Sequence, residues 1–216
     1  PIKSSAASDV YKRQAIALEP ESLNCEAILQ AWYPGQAGGQ AVAEVLFGDY
    51  NPAGKLPLTF YRNLAQIPDF EDYNMTGRTY RYMKETPLFP FGHGLSYTTF
   101  KYGKLKMNDD KIAAGQNLNL VIPVTNTGSR DGDEVVQVYL KKMDDTEGPV
   151  KTLRAFKRVR IPAGKTVEVK FSLDDTQLEW WDEQSNTMRV CPGNYTVMIG
   201  GTSCEKSLLS RAFTIR

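Results

Sequence analysis

The second half of the chain alternates. Leu118–Thr125 (LNLVIPVT), Glu134–Leu140 (EVVQVYL), Thr166–Leu173 (TVEVKFSL) and Asn194–Ile199 (NYTVMI) carry apolar side chains at alternate positions, and Ser210–Ile215 closes the chain. A period of two sorts side chains onto the two faces of an extended strand, so each segment has one apolar face that must be covered. Turn chemistry falls between them, at Asn126–Gly132, Asp144–Pro149, Pro162–Gly164, Pro192–Gly193 and Gly200–Ser203. About seven short strands at this spacing over residues 101–216 predict two packed sheets, an immunoglobulin-like β-sandwich.

The first part has a different rhythm. Ala27–Tyr33 (AILQAWY) is a short apolar run stopped by Pro34-Gly35, which predicts a buried strand. Gly39–Phe47 then places Ala43, Leu46 and Phe47 at i, i+3 and i+4 with Val42 and Val45 beside them, the spacing of a helix with a broad apolar face. Gly48 stands where a left-handed cap belongs, Asp49–Gly54 is turn chemistry, and Leu56–Phe60 is a second short strand. Strand, turn, helix, turn, strand is the order of an α/β layer. One helix does not complete such a layer, because a strand buried on both faces needs neighbours on every side. Residues 15–61 therefore read as the end of an α/β sandwich, and the fold class expected for the chain is α+β followed by all-β. Residues 62–100 are rich in Pro, Gly, Tyr and charge without a sustained period. They predict a long ordered connection, pinned by Phe70, Tyr73, Tyr80, Tyr82, Phe89, Phe91 and Tyr97.

Several function classes are disfavoured by what the residues do not do. Gly35, Gly38 and Gly39 miss the G-x-G-x-x-G spacing, and Gly48–Lys55 ends on Leu56 where a phosphate loop needs Ser or Thr. Glycines for tight turns and close packing explain them better. Against 25 acidic residues stand 26 basic ones with no stripe of either sign, which argues against nucleic acid or an anionic membrane as partner. No apolar run is long enough to span a bilayer. The cysteines, Cys25, Cys191 and Cys204, are odd in number and too scattered for a zinc or redox motif. Cys191 and Cys204 fall at a strand start and in the following hairpin loop, a register that keeps them apart.

Longer motifs point to a family. W-Y-P-G-Q-A-G-G-Q-A from Trp32, V-L-F-G-D-Y-N-P-A-G-K-L-P-L-T-F from Val45, G-R-T-Y-R-Y (Gly77–Tyr82) and P-L-F-P-F-G-H-G-L-S-Y-T-T-F (Pro87–Phe100) occur in that order. Together they resemble the C-terminal part of family 3 glycoside hydrolases, and G-R-T-Y-R-Y is closer to the β-xylosidase and arabinofuranosidase-type members than to ordinary β-glucosidases. Val124–Asp133 and Pro192–Gly201 resemble the fibronectin type III-like domain appended to such enzymes. The resemblance covers residues 15–216. It implies an exo-acting retaining enzyme that removes terminal β-linked xylose or a similar sugar from plant-cell-wall oligosaccharides by double displacement, without cofactor or metal. It also implies a barrel and the rest of the α/β domain upstream, and a periplasmic or secreted location. Residues 1–14 (PIKSSAASDVYKRQ) lack periodicity and their segment SSAASDVYKRQ resembles a translated cloning or adaptor scar, so they are expected to be a non-native or disordered tail.

Retaining glycosidases need two carboxyl groups about 5 Å apart. The family's nucleophilic aspartate and acid/base glutamate belong to motifs absent here, so no catalytic residue is expected in this chain. Glu44 reads as a solvent-facing helix residue, and Asp49, Asp69, Glu71 and Asp72 as solvated turn carboxylates. His93, between Gly92 and Gly94, has no sequence partner for base or metal work. The candidates for approaching substrate are Arg78, Tyr80, Arg81 and Tyr82, as hydrogen-bonding forks and stacking faces; the favoured alternative is that Arg78 and Arg81 anchor the connection to the α/β layer through buried hydrogen bonds. Trp180-Trp181 would turn one ring into the core and the other outward. The rival expectation is a non-catalytic β-sandwich that binds carbohydrate or protein through exposed aromatics on one sheet face. A family 3 piece instead predicts exposed apolar surface on residues 15–61.

Overall fold

The computed structural model describes residues 15–216; the expectation for residues 1–14 lies outside the described residues. From Phe100 onward the chain is strand: β1 (Phe100–Tyr102), β2 (Lys106–Met107), β3 (Lys111–Ile112), β4 (Leu118–Asn126), β5 (Gly132–Lys142), β6 (Thr152–Ile161), β7 (Thr166–Leu173), β8 (Trp180–Asp182), β9 (Thr187–Arg189), β10 (Gly193–Gly200) and β11 (Leu209–Ile215). One sheet runs β1-β4-β2 with β7 also on β4; the other runs β3-β11-β10-β5-β6. Every pairing is antiparallel except β3 with β11. The alternation seen in the sequence becomes burial: Leu118, Leu120, Ile122 and Val124 of β4 are all inaccessible to solvent and meet Val136, Val138, Leu140, Val197 and Ile199 of the facing sheet. Each such side chain contributes about 1.5–3 kcal/mol by leaving water, and this sets the sheets face to face.

Some strands escaped the sequence reading for a physical reason. β6, TLRAFKRVRI, is the outer strand of its sheet, and its Phe156, Lys157, Arg158 and Arg160 are exposed. Basic side chains on an outer strand discourage edge-to-edge pairing and also mask the apolar alternation. The β8–β9 hairpin is three residues a side, too short for a period to register. Trp180 and Trp181 divide as expected: Trp180 is 3% exposed and stands in the core, while Trp181 is 49% exposed.

Before the sandwich lie α1 (Glu19–Asn24), α2 (Gly38–Phe47) and a single turn, α3 (Thr79–Tyr82). α2 ends on Gly48 in the left-handed conformation, φ 81°, the cap its position implied. Two expectations require correction. Ala27–Tyr33 is not a buried strand: it belongs to no ladder, and Ile28, Leu29 and Tyr33 are 40–48% exposed. Leu56–Phe60 forms only a single bridge, Phe60 to Phe89. A strand is defined by its neighbour, and among the described residues neither segment has one to pair with along its length. The same cause turns the apolar face of α2 outward, with Leu46 63% and Phe47 85% exposed. Ile16 and Leu23 extend this exposed apolar surface over residues 15–61.

Candidate functional site

Residues 48–102 are locked onto the sandwich through polar groups. The N-P-A-G-K turn brings Lys55 to Glu134 of β5, Nζ to Oε1 3.4 Å, and the ammonium also donates to the carbonyl oxygen of Gly94 at 3.2 Å. Tyr102 of β1 donates to the same Glu134 oxygen at 3.0 Å. Burial pushes the Glu134 carboxyl above its usual range, while the positive charge of Lys55 and the Tyr102 hydroxyl pull it back. The same junction holds His93 against Phe89, ring centroids 5.4 Å apart, and burial with the nearby Lys55 charge holds the imidazole below its ordinary value of 6.5. His93 is thus a neutral packed ring near pH 7. Gln137 closes the cluster, donating to the carbonyls of Gly92 (3.3 Å) and Gly201 (2.7 Å) while its own Oε1 accepts from Tyr139. Asn51 donates to the Asp131 carbonyl, and Arg130 donates to the Gly48 carbonyl at the end of α2.

The four sequence candidates are brought close in the chain but given different surroundings. Arg78 donates to the carbonyl oxygens of Asn74 (3.0 Å), Asp69 (3.3 Å) and Asp72, and so closes the loop 69–78 on itself. Tyr80 stacks on Phe91 (centroids 4.3 Å, 22°), meets Tyr139 edge-on and accepts the Leu153 amide of β6 at 3.2 Å. Arg81 accepts the Val150 amide through its carbonyl and lays its guanidinium over Tyr82, 5.5 Å from the ring centre. Tyr82 lines a cleft of about 320 Å³ with Gln66, Ile67, Thr76, Lys84 and Glu85. Tyr80 and Arg78 therefore serve as anchors in this structure, and Tyr82 is the one of the four on a cleft wall. Tyr80→Phe keeps the stack but leaves the Leu153 amide without its acceptor; we expect a loss of about 1–2 kcal/mol in urea denaturation.

Two aromatics in the connection do not pin it. Phe70 and Tyr73 are 92% and 88% exposed, whereas Phe89 and Phe91 are packed as expected. Asp69 and Asp72 each accept a backbone amide two residues on, from Glu71 and Asn74; that bond to Asn74 holds the Asp72 carboxyl below its usual range. Glu44 accepts from Gln40 one helical turn back. The cleft beside Tyr82 carries one carboxylate, Glu85, and the described residues hold no cluster of three metal-ligating side chains. Sequence reasoning missed Lys55 and Glu134, since residues 79 positions apart give no periodic signal.

Comparison with known proteins decides what this arrangement belongs to. Residues 9–97 match the profile of the glycosyl hydrolase family 3 C-terminal domain and residues 134–203 that of the fibronectin type III-like domain. The chain carries the C-terminal domain of glycosyl hydrolase family 3, followed by a fibronectin type III-like domain. Among its relatives, a xylan 1,4-beta-xylosidase of Xylanibacter ruminicola is 53% identical over 201 residues, covering 93% of this chain and 23% of the relative. A periplasmic beta-glucosidase of Salmonella typhimurium is 38% identical, covering 88% of this chain and 26% of that protein. The solved β-glucosidase of Erythrobacter marinus superposes with a TM-score of 0.78 at 39% identity, over 90% of this chain and 26% of that one. The chain thus spans about a quarter of the length of these relatives. No helix among the described residues is long and apolar enough to cross a membrane.

Proposed function

We propose that this chain is the C-terminal part of an exo-acting, retaining β-glycosidase of the β-xylosidase type, acting on terminal β-linked sugars of plant-cell-wall oligosaccharides. The 53% identity to a xylan 1,4-beta-xylosidase over 93% of the chain carries this reading. In it, the nucleophilic aspartate and acid/base glutamate reside in an upstream barrel and the remainder of the α/β domain. That polypeptide also covers the exposed Ile28, Leu29, Leu46 and Phe47. The domain division is 15–61 for the end of the α/β sandwich, 62–100 for the connection and 101–216 for the fibronectin type III-like domain, and the whole enzyme works in the periplasm or outside the cell. The fibronectin type III-like domain acts as a clamp: Glu134, Arg130 and Gln137 grip the turns at Lys55, Gly48 and Gly92.

Hydrolysis of aryl β-xyloside and aryl β-glucoside tests the proposal, measured for this chain and for a version extended upstream in its native reading frame. The extended protein is expected to cleave the xyloside faster, and the 216-residue chain to cleave neither. Turnover by the short chain would sink the assignment of both carboxylates to upstream sequence. The rival reading, a free-standing carbohydrate-binding sandwich, receives little support from the surface of residues 101–216. Its large exposed aromatics, Phe156 and Trp181, stand on strands of different sheets.

A further inference from the structure

The loop following Pro68 presents two aromatic rings to solvent at a point where the backbone is tied down. Phe70 and Tyr73 are almost fully exposed, yet the Arg78 guanidinium and the two aspartate turns fasten the loop from inside. Ordering a loop costs conformational entropy, and exposing two aromatics while doing so adds an unfavourable hydration term. Such an arrangement is sensible where the rings meet something. Both ends of the loop, Pro68 and Thr76, stand on the wall of the cleft lined by Tyr82, so the loop that carries the aromatics springs from that wall.

The lining indicates what the cleft suits. Lys84 and Glu85 bring one charge of each sign, and Gln66 and Thr76 add neutral donors and acceptors. Charges that cancel select against a strongly ionic ligand, and this density of hydrogen-bonding groups is unlike the apolar centre of a protein interface. A neutral polyhydroxylated ring, which stacks on an aromatic face and takes hydrogen bonds at its rim, fits both features. The volume of about 320 Å³ lies at the lower end of the range for small-ligand sites. We propose that Tyr82, Gln66, Lys84 and Glu85, with Phe70 and Tyr73 of the adjoining loop, form an oligosaccharide-binding site lying wholly within this chain. It binds sugar units without cleaving them. The choice of a xylose-based ligand rests on the β-xylosidase reading; the site itself does not.

Titration of the 216-residue chain with xylohexaose and, separately, cellohexaose, followed by nuclear magnetic resonance shifts of its amides, tests this. Saturable shifts at residues 65–85 with xylohexaose are expected. Phe70→Ala and Tyr73→Ala, both surface changes that leave the fold intact, are each expected to weaken binding about tenfold, the equivalent of one lost stacking contact. Phe156→Ala, which removes an exposed ring on β6, is expected to leave it unchanged. Absence of saturable shifts with either sugar overturns the site, as does binding indifferent to both loop substitutions. Saturable binding of cellohexaose alone supports the site and overturns only the xylose preference. If the extended protein hydrolyses aryl xyloside while this chain binds no hexasaccharide, the site fails and the glycosidase reading stands. Binding here without hydrolysis by the extended protein means the reverse.

Discussion

Lys55→Met is expected to destabilise the chain by about 3–5 kcal/mol, because it removes one partner from a buried ion pair and leaves the other charge behind. The side chains of Lys55 and Glu134 are only 15% and 6% exposed, so water cannot screen the orphaned carboxylate. Tyr102 still donates to it, but a single neutral hydroxyl does not replace an ammonium. The pH dependence separates this cause from mere loss of packing. Burial already raises the Glu134 carboxyl above 4.5 in the folded chain, and without Lys55 it climbs further. A carboxyl raised on folding favours the folded state below its unfolded value, and that advantage is lost as pH rises through the folded one. The deficit of Lys55→Met should thus be largest near neutral pH and should shrink as pH falls towards 4.5. Urea midpoints at pH 7 and pH 5 measure both. A deficit that is the same at the two values would mean that the methylene stem of Lys55, not its charge, supports the junction. Lys55→Met combined with Glu134→Gln should recover much of the loss, since no buried charge then remains.

How far the sequence carried depended on whether a signal was local. β4, β7 and β10 were legible because each buries one face against a facing sheet, so period two appears in their own residues. β6 was not, since Arg and Lys at its outward positions serve edge protection and overwrite that period. Gly48 was legible as a cap from its place after the last apolar residue of α2, whereas Ala27–Tyr33 was read as a strand from composition alone. Apolar composition reports a demand for burial; it does not supply the neighbour that meets it. The candidate site divides in the same way. Tyr80 and Tyr82 stood out as stacking faces beside arginines in a connection without a sustained period. The geometry that separates an anchor from a cleft wall is set by Phe91, Leu153 and the 65–68 turn, all distant in sequence or irregular in backbone.

Gly94→Ala is expected to cost about 3 kcal/mol or more, a large effect for the addition of one methyl group. A β-carbon at Gly94 would sit 2.1 Å from the carbonyl oxygen of Gly54 and 3.2 Å from its carbon. These are backbone atoms of the N-P-A-G-K turn, so no side chain can swing aside to make room. Relief requires the two turns to part, and three contacts between them respond together: the Leu56 amide to the His93 carbonyl (2.8 Å), the Gly92 amide to the Leu56 carbonyl (2.7 Å) and Lys55 to the Gly94 carbonyl (3.2 Å). Moving Lys55 in turn disturbs Glu134, so the damage should couple to the ion pair and a double substitution with Lys55→Met should cost less than the sum. Gly39 supplies the contrast. It lies in α2 with no neighbouring atom within 4 Å of where a β-carbon would stand, so Gly39→Ala should stabilise by about 0.5–1 kcal/mol through helix propensity. Denaturation of the two variants side by side decides the matter. Equal, small effects would show that the turns slide past each other freely, and the glycines of F-G-H-G would then need an explanation other than close approach.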